Sequence, residues 1–357
     1  MTVTALSTAP IPPEIAAIPK AELHVHLEGT ITPHRARFLA ARNGITLPDG
    51  LFTADNRYAW DTFLEFLAAY DVSASALKTA QDFRDITHDY LAHAAAQGAI
   101  YVEFFISADH FKASAGLDYA DGVAALADAA ADARAAHGID CRFIATGVSH
   151  YGVDAVTNAA QLTVQHPHPL VTGFGLAGAE IDHPRSAYKR AFDIAANEAG
   201  LACTAHAGEV GGPDSIRDAL DHLPITRIGH GVQAIFDADL VRRIADEGIV
   251  LEVCPSSNVL IVDAFKDPRQ HPFAKLAGAG CKVTLSTDDP PYFDATLNGE
   301  YRMAHEILGV PIEQLIETSR TAINAAFIDE TTRVRLLATL QAHAARTQSA
   351  GQGPDAQ

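Results

Sequence analysis

The chain has 357 residues, 48% of them hydrophobic, enough for a sizeable core in one large α/β domain or two smaller ones. Its 26 Lys and Arg against 44 Asp and Glu give a formal net charge of -18, which disfavours nucleic acid and anionic lipid as partners and favours a small molecule. The four cysteines, Cys141, Cys203, Cys254 and Cys281, lie far apart without a Cys-x-x-Cys, as expected of buried thiols in a reducing cytoplasm, and no apolar run approaches the roughly 18 residues of a membrane span.

Residues 1–18, with Pro10, Pro12 and Pro13, read as an irregular leader lacking the basic start and long apolar core of a secretion signal, so a cytoplasmic location is expected. Order begins near Lys20. Glu22-Leu23-His24-Val25-His26-Leu27-Glu28-Gly29 then reads as a strand in which His24 and His26 share one face and Leu23, Val25 and Leu27 the other. Two imidazoles on a rigid strand converge as transition-metal ligands do. Pro33 to Asn43 reads as a helix and Gly44 to Ala59 as turns. Next, Phe63, Leu64, Phe66, Leu67 and Tyr70 recur at helical spacing, the mark of a core helix or of a lid over a cleft.

From residue 80 a unit repeats, an amphipathic helix followed by a short β-branched or aromatic run. Phe83, Ile86, Tyr90 and Ala94 stripe a helix that stops at Gly98 before the strand Ala99 to Ser107; helix 118–137 leads into Cys141 to Ser149. A helix from Val153 precedes Val171 to Leu176, Arg185 to Ala199 precedes Leu201 to His206, and a helix from Asp214 precedes Thr226 to His230. Asp237 to Glu247 leads to Ile249 to Cys254, and Pro272 to Ala279 to Cys281 to Thr287. These are eight strands separated by helical sequence, which matches a closed (β/α)8 TIM barrel. A doubly wound open sheet is the rival, weakened by the lack of a Gly-x-Gly-x-x-Gly loop after the first strand. The chain is read as one domain over 19–346, with a helical lid insertion after strand 1, extra C-terminal helices over 311–344 and a frayed tail over 347–357.

Catalytic groups of such barrels sit at the carboxyl ends of strands. Here those ends carry His24 and His26, Leu176-Ala177-Gly178, His206-Ala207-Gly208-Glu209, Gly229-His230-Gly231 and Ser286-Thr287-Asp288-Asp289-Pro290. Three imidazoles and a carboxylate (His24, His26, His206 and Asp288) suit zinc better than calcium or magnesium, which prefer oxygen shells. Zinc there would lower the pKa of a coordinated water from about 15.7 towards about 7. Glu209 is placed to move a proton between that water and a substrate, and His230 to orient the water.

Five ordered motifs, His-x-His-Leu-Glu-Gly, His-Ala-Gly-Glu, Arg-Ile-Gly-His-Gly, Leu-Glu-Val-Cys-Pro-Ser-Ser-Asn and Ser-Thr-Asp-Asp-Pro, resemble those of the adenosine and adenine deaminase family of the amidohydrolase superfamily, over about Pro19 to Phe327. The resemblance implies one zinc ion per subunit on His24, His26, His206 and Asp288. It also implies Glu209 as the proton donor to purine N1, His230 as the orienter of hydroxide, Asp289 as the partner of N7 and Gly178 as a backbone donor to N3. His26 and Glu28 also face the substrate, and Phe66, Leu67 and Tyr70 belong to an apolar lid over the purine. Hydroxide would add to C6 and ammonia would leave a 6-oxopurine.

Gly175-Leu176-Ala177-Gly178-Ala179-Glu180 and Gly229 before His230 resemble the adenosine branch. The expected activity is therefore that of a zinc-dependent adenosine deaminase, which makes inosine and ammonia from adenosine and accepts 2′-deoxyadenosine, in purine nucleoside salvage. Glu28 in place of the usual Asp, Ala179 in place of an acidic residue, and Phe104-Phe105 after Glu103 support the alternatives, adenine or a 5′-modified adenosine such as 6-aminodeoxyfutalosine. The extra methylene of Glu28 is worth roughly 1 to 3 kcal/mol in such discrimination. A zinc amidohydrolase acting on an amide or phosphoester is the rival of another class, because barrel and metal alone do not fix chemistry. Nothing in the sequence marks an oligomeric state.

Overall fold

The computed structural model describes residues 10–351, with side chains through Arg346. Expectations for 1–9 and 352–357 lie outside the described residues. The elements in chain order are α1 (Pro13–Ala16), β1 (Lys20–His26), α2 (Pro33–Asn43), α3 (Phe63–Ala74), α4 (Ala80–Ala96), β2 (Ala99–Ile106), α5 (Ala108–Ala115), α6 (Tyr119–His137), β3 (Asp140–Val148), α7 (Val153–Gln165), β4 (Val171–Ala177) and α8 (Lys189–Asn197). They continue with β5 (Ala202–Ala207), α9 (Gly212–His222), β6 (Arg227–His230), α10 (Ala238–Glu247), β7 (Val250–Val253), α11 (Pro255–Ile261), α12 (Phe273–Gly278), β8 (Lys282–Leu285), α13 (Pro290–Phe293), α14 (Leu297–Glu306), α15 (Ile312–Ala325) and α16 (Glu330–Gly351).

The eight strands are parallel and adjacent in sequence order, the topology of a (β/α)8 barrel. The seam closes just beyond β8, where His26 N–H donates to the Asp288 carbonyl at 3.0 Å and Asp288 N–H to the His24 carbonyl at 3.0 Å. Strand residues are buried on both faces, since one packs on helices and the other fills the barrel, and this is why they read as continuous apolar runs. Ala99 to Ser107, Thr226 to His230, Ile249 to Cys254 and Cys281 to Thr287 are longer than the observed strands and narrow to β2, β6, β7 and β8. The residues after β7 and β8 leave the ladder for the mouth of the barrel.

Within the stretch read as an irregular leader, α1 is one helical turn whose Ile15, like the following Ile18, is wholly buried. Lys20 anchors this turn at the amino end of the barrel by donating to the carbonyls of Ile15 (2.7 Å), Ile18 (3.0 Å) and Gln97 (3.1 Å). At the other terminus α16 runs to Gly351, past the point where fraying was expected.

Between β1 and β2, a capping box of Thr62 and Glu65 starts α3, and a second, of Thr79 and Asp82, starts α4. The α3 patch divides by face. Phe66 packs with Leu51, Tyr58, Tyr292 and Phe293 in a cluster separate from the main core, Leu64 faces solvent, and Phe63, Leu67 and Tyr70 are half-buried. No described helix is long and apolar enough to cross a membrane.

Candidate active site

The ionisable residues His24, His26, His206, Glu209, His230, Asp288 and Asp289, singled out at strand ends, gather at one mouth. A cavity is lined there by His26, Glu28, Gly178, His206, Glu209, His230, Asp288 and Asp289, and by Phe63, Phe66, Leu67 and Tyr70 of α3. His24 lies directly beneath, wholly buried.

The candidate ligand atoms of His24, His26, His206 and Asp288 all lie within 4.8 Å of one another. His24 Nε2 and His26 Nε2 stand 3.1 and 3.2 Å from His206 Nε2, and Asp288 Oδ1 stands 3.5 and 3.3 Å from the first two. The other ring nitrogens settle the tautomers. His206 Nδ1 faces the Leu176 carbonyl at 2.7 Å and His24 Nδ1 faces a Glu252 oxygen at 2.8 Å, so both donate from Nδ1 and turn bare lone pairs on Nε2 towards each other. Burial lowers the pKa of His24, but Asp288 and Glu252 outweigh it and raise the value to about 9, so the facing nitrogens hold a cation between them, a proton or the metal that replaces it. Burial, together with the neighbouring imidazoles, pushes His206 well below the usual histidine pKa, so it offers that lone pair at neutral pH. The donor set thus fits a divalent metal ion.

Backbone geometry reinforces the cluster. His230 (φ 61°) and Asp288 (φ 64°) adopt the left-handed conformation that non-glycine residues avoid, a cost borne where surrounding structure fixes the site. In β6, Gly229 is required by crowding, since a Cβ there would stand 2.8 Å from His24 Cε1.

Around the cluster stand three ionisable groups whose pKa values the site shifts. Glu209 is pushed well above the usual carboxyl range by burial and by the charges of Asp288 and Glu180, which favours its protonated form. Burial, with Asp288 and Glu209 nearby, raises Asp289 likewise. Burial lowers His230 to about 3, so this ring is neutral. Its tautomer is set by a chain of hydrogen bonds: Phe273 N–H donates to His271 Nδ1 (3.3 Å), His271 Nε2–H to Asn258 Oδ1 (3.4 Å), and Asn258 Nδ2 to His230 Nδ1 (3.1 Å). The proton of His230 is thereby left on Nε2, an atom without a protein hydrogen-bond partner that lies 3.6 Å from Glu209 Oε1.

Several structural partners were not singled out in the sequence. Glu180 accepts from the backbone N–H groups of Gly208 (2.5 Å), Glu209 (3.0 Å), Val210 (2.7 Å) and Gly211 (2.9 Å), folding the loop that presents Glu209. Glu252 ties His24 to Arg227, whose Nε is 2.6 Å from Glu252 Oε1 and whose Nη2 is 2.6 Å from Glu103 Oε2. Glu103 and Glu252 each interrupt an apolar strand, and a charge in such a run is the available signal for an internal ion chain. His110, Asp71 and Tyr151, beside Glu28, carry no such signal.

The family profile described as Adenosine deaminase matches residues 19–343. The chain is 49% identical over 326 residues to a protein of Chelativorans sp. (strain BNC1) named adenine deaminase, covering 90% of this chain and 98% of that one. Among solved structures it resembles an adenine deaminase from Arthrobacter aurescens (TM-score 0.85, 31% identity, 91% and 98% of the two chains covered). It also resembles an amidohydrolase from Burkholderia ambifaria with bound Zn (TM-score 0.85, 26% identity, 96% and 97% covered). These relatives overturn the expectation of adenosine as substrate and of an adenosine deaminase activity, because those of known substrate name are adenine deaminases. The expectation gave too much weight to Gly229 and the strand 4 motif. Gly229 is dictated by packing against His24 and His206 and says nothing about a sugar.

Proposed function

Because the chain belongs to the adenosine deaminase family, we propose that it is a zinc-dependent hydrolase that converts adenine and water to hypoxanthine and ammonia. The single observation that carries the chemistry is the meeting, in one cavity, of four convergent ligand atoms with Glu209, whose pKa is raised, and His230, whose pKa is lowered. The base is inferred from the relatives' names.

His24, His26, His206 and Asp288 would hold one zinc ion per subunit, which when bound acidifies water into a nucleophile at neutral pH. Glu209 delivers its proton to purine N1, drawing electrons from C6 and opening that carbon to attack. His230 donates from Nε2 to the attacking water and keeps a lone pair turned towards C6. Asp289, protonated, donates to N7, and the Gly178 backbone N–H meets N3. Addition makes C6 tetrahedral, and the site's fixed donors favour this shape over the flat ring. Of the two protons of water, one ends on the purine and one on the departing ammonia, with Glu209 as carrier. Phe63, Phe66 and Leu67 cover the ring and exclude bulk water.

The test is ammonia release from adenine by protein stripped with a chelator and then reloaded with zinc. We expect loss of turnover on stripping and its return on reloading. Unchanged turnover in the stripped protein would refute the reading.

A further inference from the structure

The end of the cavity beside Glu28 is built from charged groups that the reaction at C6 does not use. Glu28 is 1% exposed, and its Oε2 accepts from Tyr70 Oη of α3 at 3.1 Å. Its Oε1 is buried without a hydrogen-bond partner. His110 Nδ1 stands 3.4 Å from that oxygen as its ion-pair partner, without forming a hydrogen bond to it. Behind it, His110 Nε2 lies 3.4 Å from Asp71 Oδ1 and 3.3 Å from Tyr151 Oη, and Tyr151 donates to the same Asp71 oxygen at 3.0 Å. A buried carboxylate oxygen left without a hydrogen bond costs free energy even beside an opposite charge, so such an oxygen lining a cavity points to a ligand donor.

The position of Glu28 indicates which donor. Gly29, the next residue, lies so close to Asp289 that a Cβ on it would overlap the Asp289 carboxyl, so the Glu28 and Asp289 side chains flank one part of the cavity. A purine with N7 at Asp289 turns the remaining edge of its five-membered ring, with N9, towards this end. In free adenine N9 carries hydrogen. In a nucleoside that hydrogen is replaced by the sugar carbon, which cannot donate and needs the space that Glu28 fills.

We propose that Glu28 Oε1 accepts the N9–H of the base, with His110 and Tyr70 as positioning residues, so that this end of the pocket selects 6-aminopurines unsubstituted at N9. The inference rests on the adenine reading above. It also gives the lid a role in specificity, since Tyr70 and Asp71 of α3 reach Glu28 directly and through His110. Closure of the lid and recognition of N9–H then depend on the same contacts.

The test compares kcat/KM for adenine and 9-methyladenine on one preparation, a ratio that misfolded or metal-free protein does not alter. A site built to bond a substrate N–H rejects an analogue without it by about 10⁴-fold, and we expect at least about 10³-fold here. In Glu28→Ala, adenine should lose most of its advantage, leaving a ratio below about tenfold, because both the acceptor and the steric block are gone. In His110→Phe, adenine KM should rise with kcat nearly unchanged, the mark of lost positioning in binding. Adenine turnover with a wild-type ratio near one, or a Glu28→Ala ratio equal to wild type, would overturn this inference and leave the adenine reading standing. Turnover of adenosine without turnover of adenine would overturn both.

Discussion

The two ends of the cavity are built differently. At the metal end, His24, His206 and His230 project from strands, and the contacts behind the first two are short, 2.8 Å from His24 to Glu252 and 2.7 Å from His206 to the Leu176 carbonyl. At the lid end, Glu28, Tyr70, His110 and Tyr151 come from helices and single turns between the strands, and their contacts run from 3.0 to 3.4 Å. Rigid strands hold what every turnover requires to within tenths of an ångström, whereas an adjustable end, completed by the ligand, can be retuned for another substrate without disturbing the chemistry.

The largest expected effect lies at the metal end. Glu209→Gln removes the proton donor while keeping size and burial, and kcat for adenine should fall by about 10² to 10⁴-fold with little change in KM, measured by steady-state kinetics. A loss below tenfold would mean that Glu209 does not carry the proton. Gly29→Ala probes the joint between the two ends: the new methyl collides with Asp289. Since a 1 Å displacement costs about 10²-fold, kcat/KM should drop by that order while metal content, read by elemental analysis, stays at wild-type level.

Glu252→Gln sharpens the contrast further. Loss of the carboxylate behind His24 should weaken metal affinity by about 10 to 100-fold in a chelator competition, and an unchanged affinity would remove Glu252 from the account. The smallest effect belongs to the lid. Burial lowers the pKa of His110, but the charges of Glu28 and Asp71 outweigh it and raise the value to about 10. A histidine raised on folding contributes stability that is fully present below its unfolded pKa of about 6.5 and is lost as pH climbs through the folded value. Wild type should therefore exceed His110→Gln in denaturant midpoint near pH 6, and the gap should narrow steadily towards pH 10. A constant gap would show that the ring is not charged in the fold.

The same contrast governs what the sequence reveals. The metal end is legible because its groups sit at strand ends inside contiguous motifs, so His24, His26, His206 and Asp288 can be grouped once eight strands are counted. The layer behind them is half legible. Glu252 is visible as a charge in the apolar run Ile249 to Cys254, but its pairing with His24 is set by the barrel's register and not by spacing. At the lid end, Asp71, His110 and Tyr151 come together from three separate excursions, and no periodicity links them. The substrate was misjudged because Gly229 and the strand 4 motif were weighed above Glu28, and the fold shows that Gly229 answers to packing against His24 and His206. Glu28 is visible in the sequence, but the contacts of its carboxylate with Tyr70 and His110 are specified only by the folded chain.

The most direct test is competition: equal concentrations of adenine and adenosine in one reaction with the zinc-loaded protein, with products separated by chromatography. The account predicts hypoxanthine and ammonia in equal amounts, with adenosine left intact. Inosine formed while adenine remains would contradict it.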